Sequence, residues 1–477
     1  MPEKNNDIEN RPGRSRAPAS RRDFLAATAS AGAGMFLARA AAAQDDAEAE
    51  AAAAPAEASA EAPAAAPSAD DLNVALIGMG AQGMVLMNAC LKIPGIRFKA
   101  VCDIWSYSQR RGSGTLRKFG HEVNVYEDFR ELLDTEQDLD AAIVATPDFM
   151  HAEHAIGCMR AGLHVYCEKE MSNDLEKARQ MVLASRETGK LLQIGHQRRS
   201  NPRYKHAIDR LLRDEALVGR VTHGYGQWNR AKSEDLGWPN RYTIDQATLE
   251  KYGFDSMQHF RNWRWYKKYG GGPIVDLGSH QIDIFNWVFG SNPKSVSASG
   301  GVDFYPDHEW YDNVMAVYEY DTPQGTSRAF YQVLTTTSNG GFYETFMGED
   351  GTLVISEVPQ RGNHFLREAH ADQERWSQLA KNGDLVKYEE EPAAADKTDV
   401  LLDVRVSKPL GAWDLPIELN KPVHQPHLEN FFDAIRMGTP LNCPAEVGYE
   451  TAVEVLRVND AVELACKVEF KPEDFVV

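Results

Sequence analysis

A short glycine string sets the terms for the whole chain. Leu72–Ile77 reads as a buried strand, Gly78-Met79-Gly80-Ala81-Gln82-Gly83 follows at once, and a helical stretch runs on through Leu91. A second strand, Phe98–Cys102, ends in Asp103, twenty residues beyond Gly83. Each piece has a physical reason. Gly78 permits the tight turn, Gly80 lets a pyrophosphate approach the backbone, and Gly83 lets helix and strand pack closely. The helix N-terminus offers free N–H groups to phosphates. Asp103 can accept hydrogen bonds from ribose hydroxyls and would repel a 2′-phosphate, which favours NAD over NADP. Arg110 and Arg111 leave NADP open.

The alternation continues. Leu139–Ala145 reads as a strand ending in Thr146-Pro147-Asp148, with His151 one turn on. A helix to Ala161, a strand Leu163–Cys167 ending in Glu168-Lys169-Glu170, a helix Leu175–Thr188 and a strand Leu191–Gly195 follow. Strands alternating with helices imply a parallel, doubly wound sheet, with ligands at the carboxyl ends of its strands. Those ends carry the glycine loop, Asp103, Thr146–Asp148, Glu168–Glu170 and His196–Arg199. The expected Rossmann NAD(P)-binding domain is 71–198.

After Arg199 the periodicity shifts, and 199–477 is expected to form a substrate-binding α/β domain. A helix near Arg203–Arg213 precedes a strand, Arg220–Gln227, and an irregular stretch rich in Trp, Arg and Lys from Asn229 to Tyr269. Gly270-Gly271-Gly272-Pro273 then leads into a helix through Val288. The β-like runs Ser295–Val302, Val314–Tyr320, Ser327–Thr335, Tyr343–Met347 and Thr352–Ile355 predict a large, mostly antiparallel open sheet backing a substrate site. Residues 356–423 read as charged and irregular; His427–Met437 and Ala445–Cys466 read as closing helices. Asp276 and His280 are four apart and share a helix face. One reading makes Asp276 a cap and His280 an ordinary surface residue. The glycines before them instead suggest close approach of backbone to a ligand.

Residues 1–70 stand outside this pattern. Ser20-Arg21-Arg22-Asp23-Phe24-Leu25 is a twin-arginine signal pattern, followed by a weakly apolar stretch and Ala41-Ala42-Ala43, a cleavage signal. The expectation is a signal peptide over 1–43, the twin-arginine translocase as a partner, and a periplasmic or otherwise exported product. Residues 44–70 are almost wholly Ala, Glu, Asp, Pro and Ser, a linker composition. The mature fold is thus two domains, within the range that 477 residues allow. A net charge of −19 repels phosphate backbones and anionic lipid, so no nucleic acid and no membrane anchor are expected. Six scattered cysteines indicate neither a disulfide scaffold nor a zinc ribbon. His424, His427 and Glu429 have no recognised ligand spacing, and no metal is expected.

These residues together resemble the Gfo/Idh/MocA oxidoreductases, a family that includes inositol dehydrogenase and glucose–fructose oxidoreductase. The likeness runs from about Leu72 to Cys466. It rests on the glycine loop with Asp103, on Ala145-Thr146-Pro147-Asp148…His151, on Ala161-Gly162-Leu163-His164-Val165 and on Glu168-Lys169. It continues through Gly195-His196-Gln197-Arg198 and Gly271-Gly272…Asp276…Gly278…His280…Asp283. The resemblance implies hydride transfer between a sugar or polyol carbon and nicotinamide, in a homodimer or homotetramer paired across the open sheet. It implies that Lys169 holds the reacting hydroxyl, Asp276 orients substrate and partner, and His280 is the general base. Cofactor contacts are implied at Gly78, Gly80, Gln82, Gly83, Asp103, Thr146, Pro147, His151, Glu168 and Gln197. Arg198, Trp263 and Asp283 are the implied substrate contacts.

One residue departs from the pattern. Where the family usually reads Glu-Lys-Pro, this chain has Glu168-Lys169-Glu170. The proline can hold a cis peptide, which is costly without proline, so the geometry of that turn is open. Glu170 either brings a carboxylate to the pocket or is a solvent-facing replacement. Asn262-Trp263-Arg264-Trp265-Tyr266-Lys267 offers aromatic platforms for a sugar, or packing residues. Three activities remain open: an exported dehydrogenase of sugars, polyols or glycosides with tightly bound, recycled cofactor; redox-neutral cleavage or epimerisation through a keto intermediate; and a non-catalytic carbohydrate-binding scaffold.

Overall fold

The computed structural model describes residues 71–388 and 410–477. The twin-arginine pattern and the linker lie outside the described residues.

The first sheet is parallel, with strand order β3-β2-β1-β4-β5-β6. Its strands are β1 (Leu72–Ile77), β2 (Ile96–Cys102), β3 (Asn124–Tyr126), β4 (Ala141–Val144), β5 (His164–Cys167) and β6 (Leu192–Ile194). The order reverses between β1 and β4, where doubly wound sheets open a crevice at their strand ends. Helices cover both faces, so the central strands are apolar throughout. All four residues of β4, Ala-Ala-Ile-Val, are buried. Local signals set the connecting helices. In Leu175–Thr188 the Asp174 side chain caps the Lys177 N–H, and Gly189 closes the helix at φ +67°. The helix Ser106–Lys118 and the short β3, neither resolved by apolar periodicity, complete the sheet's edge.

The second sheet has ten strands in the order β14-β15-β13-β12-β11-β7-β10-β9-β8-β16. They are β7 (Val221–Asn229), β8 (Pro293–Gly301), β9 (Asn313–Thr322), β10 (Gly325–Leu334), β11 (Phe342–Gly348) and β12 (Gly351–Ile355), then β13 (His364–Arg367), β14 (Val386–Lys387), β15 (Gly411–Asp414) and β16 (Val468–Glu469). β7 and β10 run parallel and the other neighbours antiparallel, in line with the expected open sheet. One face is buried under two helices, Gly272–Phe289 and Ala445–Leu464. Phe289 meets Tyr320 of the sheet at 4.6 Å between ring centroids. On the other face the register aligns Thr345, Tyr225, Phe330 and Val317 in one row. Met315 and Met347 flank that row and are exposed.

Two expectations are revised. The helix expected near Arg203–Arg213 is a short α-turn, Pro202–Lys205, running into a π-helical segment, His206–Asp214. The stretch expected to be irregular holds β13, a helix Gln373–Asn382, β14 and β15. These elements are short and polar, and the neighbouring strands supply the order that their own patterning lacks. The helix Gln425–Met437 returns to the first domain, where Leu428, Phe431 and Phe432 lie fully buried in the core under β1 and β4.

Candidate functional site

The site forms where the carboxyl ends of the first sheet meet the helix Gly272–Phe289. At the end of β1, Gly78 has φ +92°, and a Cβ there would sit 2.5 Å from the Ala145 carbonyl oxygen. Gly80 is different: a Cβ would meet nothing within 4 Å, so the loop leaves open space there. No side chain caps the first turn of the helix Ala81–Cys90, whose N–H groups stay available to an anion. At the end of β2, Asp103 accepts from the Met79 N–H and the Trp105 N–H, each at 2.7 Å. Burial pushes its carboxyl up to about 6. This open, uncapped loop beside a carboxylate fits a dinucleotide's pyrophosphate and ribose.

The ends of β4 and β5 are tied to one another. His151 places Nδ1 at 2.7 Å from the Glu170 carbonyl and Nε2 at 2.6 Å from the Thr146 carbonyl. Thr146 Oγ1 lies 3.0 Å from His154. Expected to touch the cofactor, His151 has its ring between these two loop carbonyls, and its single N–H can donate to one of them. Glu168 accepts from Gln82 at 3.0 Å, which joins the glycine loop to the strand carrying Lys169. Pro147 directly precedes the helix Asp148–Arg160.

Lys169 reaches across to the second domain. Its Nζ donates to the Asp276 carbonyl and, at 3.1 Å, to Asp276 Oδ1. Arg264 Nε lies 3.1 Å from Asp276 Oδ2. Burial pushes the Asp276 carboxyl up, but the charges of Lys169, Arg264 and Arg230 outweigh it and hold the group well below the usual carboxylate range. Asp276 is thus a fixed anion clamped by cations. One turn on, His280 is 7% exposed, stacks on Trp228 at 5.6 Å and faces His196 at 6.5 Å. Burial, reinforced by Lys169 and Arg198, pushes its pKa well below the ordinary histidine range. The ring is therefore neutral at physiological pH and can accept a proton. Its Nδ1 is buried without a partner.

A carboxyl outside the expected set completes the cluster. Asp148, at the first turn of its helix, is 3% exposed. Burial, then the Asp276 charge, push it up to about 7 against the pull of Lys169 and Arg264. Its place after Thr146-Pro147 at a strand end was the signal available in the sequence; for Arg264 it was the basic residue between two tryptophans.

Other expected residues take different positions. Arg198 is 1% exposed, ion-paired with Glu344 and, at 2.9 Å, with Glu357; it lies in a buried charge cluster, not on an open substrate surface. Asp283 is fully buried and bound to Arg199 at 2.7 Å, facing the core for the same reason. Gln197 donates to Glu357 at 3.2 Å. Trp263 lies beside Gly270 with Arg264 stacked on it at 4.3 Å, at the rim next to Asp276. The glycines 270–272 do not open the backbone to a ligand. Cβ atoms there would meet Trp263 at 3.0 Å, Val275 at 2.5 Å and Trp310 at 2.7 Å, so their role is packing. Glu170 is not solvent-facing. It is fully buried, with Oε1 accepting from the Met171 N–H at 2.6 Å and Oε2 unpartnered. Burial pushes its carboxyl up to about 8, and the Lys169–Glu170 peptide is cis.

Known proteins share this sequence pattern and fold. Residues 72–196 match the GFO_IDH_MocA oxidoreductase family, NAD-binding Rossmann fold, and residues 207–354 match the GFO/IDH/MocA C-terminal domain. The 1,5-anhydro-D-fructose reductase of Ensifer adhaerens is 28% identical over 54% of this chain and 68% of its own length. The inositol 2-dehydrogenase of Rubrobacter xylanophilus is 29% identical over 40% of this chain and 53% of its own. A levoglucosan dehydrogenase solved with NADH and levoglucosan superimposes with TM-score 0.62 at 19% identity, over 84% of this chain and 99% of its own. The WlbA dehydrogenase of Bordetella pertussis, solved with NADH and UDP-GlcNAcA, gives 0.58 at 17% identity, with the same coverage of each chain. The first matched segment carries the glycine loop and Lys169, the second carries Asp276 and His280, and the chain belongs to the Gfo/Idh/MocA family of NAD-binding oxidoreductases.

Proposed function

We propose that this chain oxidises a secondary hydroxyl of a sugar, polyol or glycoside at the junction of Lys169, Asp276 and His280. The observation that carries the reading is the Lys169–Asp276 contact across the two domains, with a neutral His280 one helical turn away. NAD, when bound, takes the hydride. Lys169 donates to the substrate oxygen and stabilises the charge that develops on it as the proton leaves. Asp276 fixes the Lys169 ammonium and, with Arg264, the orientation of a neighbouring hydroxyl. His280 accepts the hydroxyl proton, and Trp228 behind it holds the ring in place. Gln82 and Glu168 keep the glycine loop in register with Lys169. The test is reduction of NAD+ at 340 nm over a panel of hexoses, inositols and anhydrosugars. A chain that holds no nicotinamide and neither binds nor reduces NAD+ would leave the carbohydrate-binding scaffold standing.

The finer reading is that the protein leaves the cytoplasm folded, through the twin-arginine route, with its cofactor already loaded and retained. The Arg21-Arg22 pattern supports it, because free NAD is not available outside the cytoplasm. Assembly across the ten-stranded sheet is supported by the apolar row through Tyr225, Phe330 and Val317. A redox-neutral reaction is the alternative reading, for which the buried Asp148, in the first turn of the helix after β4, is a second carboxyl within the electrostatic reach of Lys169. A transient ketone acidifies the adjacent C–H, whose removal needs a proton acceptor besides His280. Denaturing the purified mature protein and assaying the supernatant for nicotinamide distinguishes these readings. Near-stoichiometric release supports a recycled cofactor; an empty protein that turns over with added NAD+ is a simple dehydrogenase.

A further inference from the structure

The stretch between β7 and the helix Gly272–Phe289 leaves the second domain and packs on the residues that follow Asp103. Trp105 donates its Nε1–H to the Tyr242 carbonyl at 2.6 Å and meets Phe260 edge-on at 5.8 Å. Tyr107 meets Tyr242 at 5.2 Å. Farther out, the Tyr252 hydroxyl donates to Glu127 at 3.1 Å. The second domain therefore lays an aromatic strap over the end of the crevice where Asp103 stands.

Arg261 is the strap's charged group at that point. Its guanidinium lies over Trp105 at 4.7 Å from the ring centroid, and Nε donates to the Gly237 carbonyl at 3.1 Å. Nε is thereby engaged, while Nη1 and Nη2 have no hydrogen-bond acceptor among the described residues. Arg261 and Asp103 feel each other's charge, yet no ion pair joins them within 4 Å. The Arg261 guanidinium over the Trp105 ring and the Asp103 carboxylate, which accepts from the Trp105 N–H, thus flank the same residue, donors on one side and an acceptor on the other. A vicinal diol is the complementary ligand, since each hydroxyl both donates and accepts.

We propose that Arg261 is a cofactor ligand supplied by the second domain, its Nη groups and the Asp103 carboxylate together seating the adenosine ribose of NAD beneath the strap. Two consequences follow. The cofactor is gripped by both halves of the chain. Arg261 also gives the site a latent preference for a 2′-phosphate, which Asp103 overrides by like-charge repulsion.

The test is direct binding of NAD+, NADP+ and ADP-ribose to the purified mature chain by calorimetry. Arg261→Met keeps the packing over Trp105 and removes the charge. It is expected to weaken NAD+ and ADP-ribose alike by about tenfold, with an unchanged melting midpoint for the apo protein. Asp103→Ser is expected to raise NADP+ affinity severalfold in the Arg261 background and to lose that gain in the Asp103→Ser, Arg261→Met double variant. Unchanged NAD+ affinity in Arg261→Met overturns the proposal, as does an NADP+ gain that survives in the double variant.

Discussion

Two glycine runs bracket the site, and they are built for opposite purposes. In 78–83, Gly78 and Gly83 allow close backbone approach, and Gly80 faces open space, with nothing within 4 Å of an added Cβ. In 270–272 the same residue type is used up by Trp263, Val275 and Trp310. The first run receives something that is not protein. The second is filled by the protein itself and sets the start of the helix that carries Asp276 and His280. Glycine spacing alone does not separate these cases. What separates them is the partner: open space at Gly80 beyond a strand end in one, packed side chains at all three positions in the other.

Substitutions can break or sharpen this contrast. The largest effect is expected on the filled side, at the group that run positions. His280→Asn should lower turnover by about 10²–10⁴-fold with NAD+ affinity retained, as steady-state rates and calorimetry would show. On the open side, Gly80→Ala should weaken NAD+ by about tenfold or more and leave the melting midpoint where it was, because a methyl meets cofactor and no protein atom. Gly272→Ala should do the reverse. Its φ of +79° and the Trp310 ring 2.7 Å away make an alanine strained and crowded. At about 1–2 kcal/mol for the left-handed backbone, calorimetric melting should fall by a few degrees, with NAD+ affinity kept.

The smallest effect expected is a pH signature at Asp148. Burial raises its folded pKa to about 7, so between about pH 4 and 7 the folded state holds a proton that the unfolded state has lost. Stability therefore falls as pH rises through that window. Asp148→Asn removes the penalty: the variant should melt higher than the parent at pH 8 and equally at pH 4. If Asp148 also accepts a proton in the reaction, the limb of the rate profile near pH 7 disappears with it.

The first sheet was legible almost strand by strand, because parallel strands buried on both faces are continuous apolar runs and turn residues mark their ends. β1 and the helix Leu175–Thr188 fall at the residues their patterns indicate. The large sheet was legible in kind, since β9 and β10 alternate cleanly between core and outer face. β13 to β15 were not, being too short for a period to show. At the site, spacing put Asp276 and His280 on one helix face, and the family resemblance joined Lys169 to them. Neither told which motif residues face the cleft and which brace it. His151, Arg198 and Asp283 sit within those motifs, yet their side chains meet carbonyls and opposite charges in the interior. Glu170 shows the same limit, since a charged residue type says exposed until a specific burial overrules it.

The helix Gln425–Met437 has a consequence for how the protein is made. Leu428, Phe431 and Phe432 complete the core beneath β1 and β4 from more than two hundred residues downstream of the last strand of that sheet. While the chain emerges from the ribosome, the nucleotide-binding half waits with that part of its interior unfilled until translation is nearly over. A truncation after residue 198 removes those three side chains with the rest and leaves the core beneath β1 and β4 short of them.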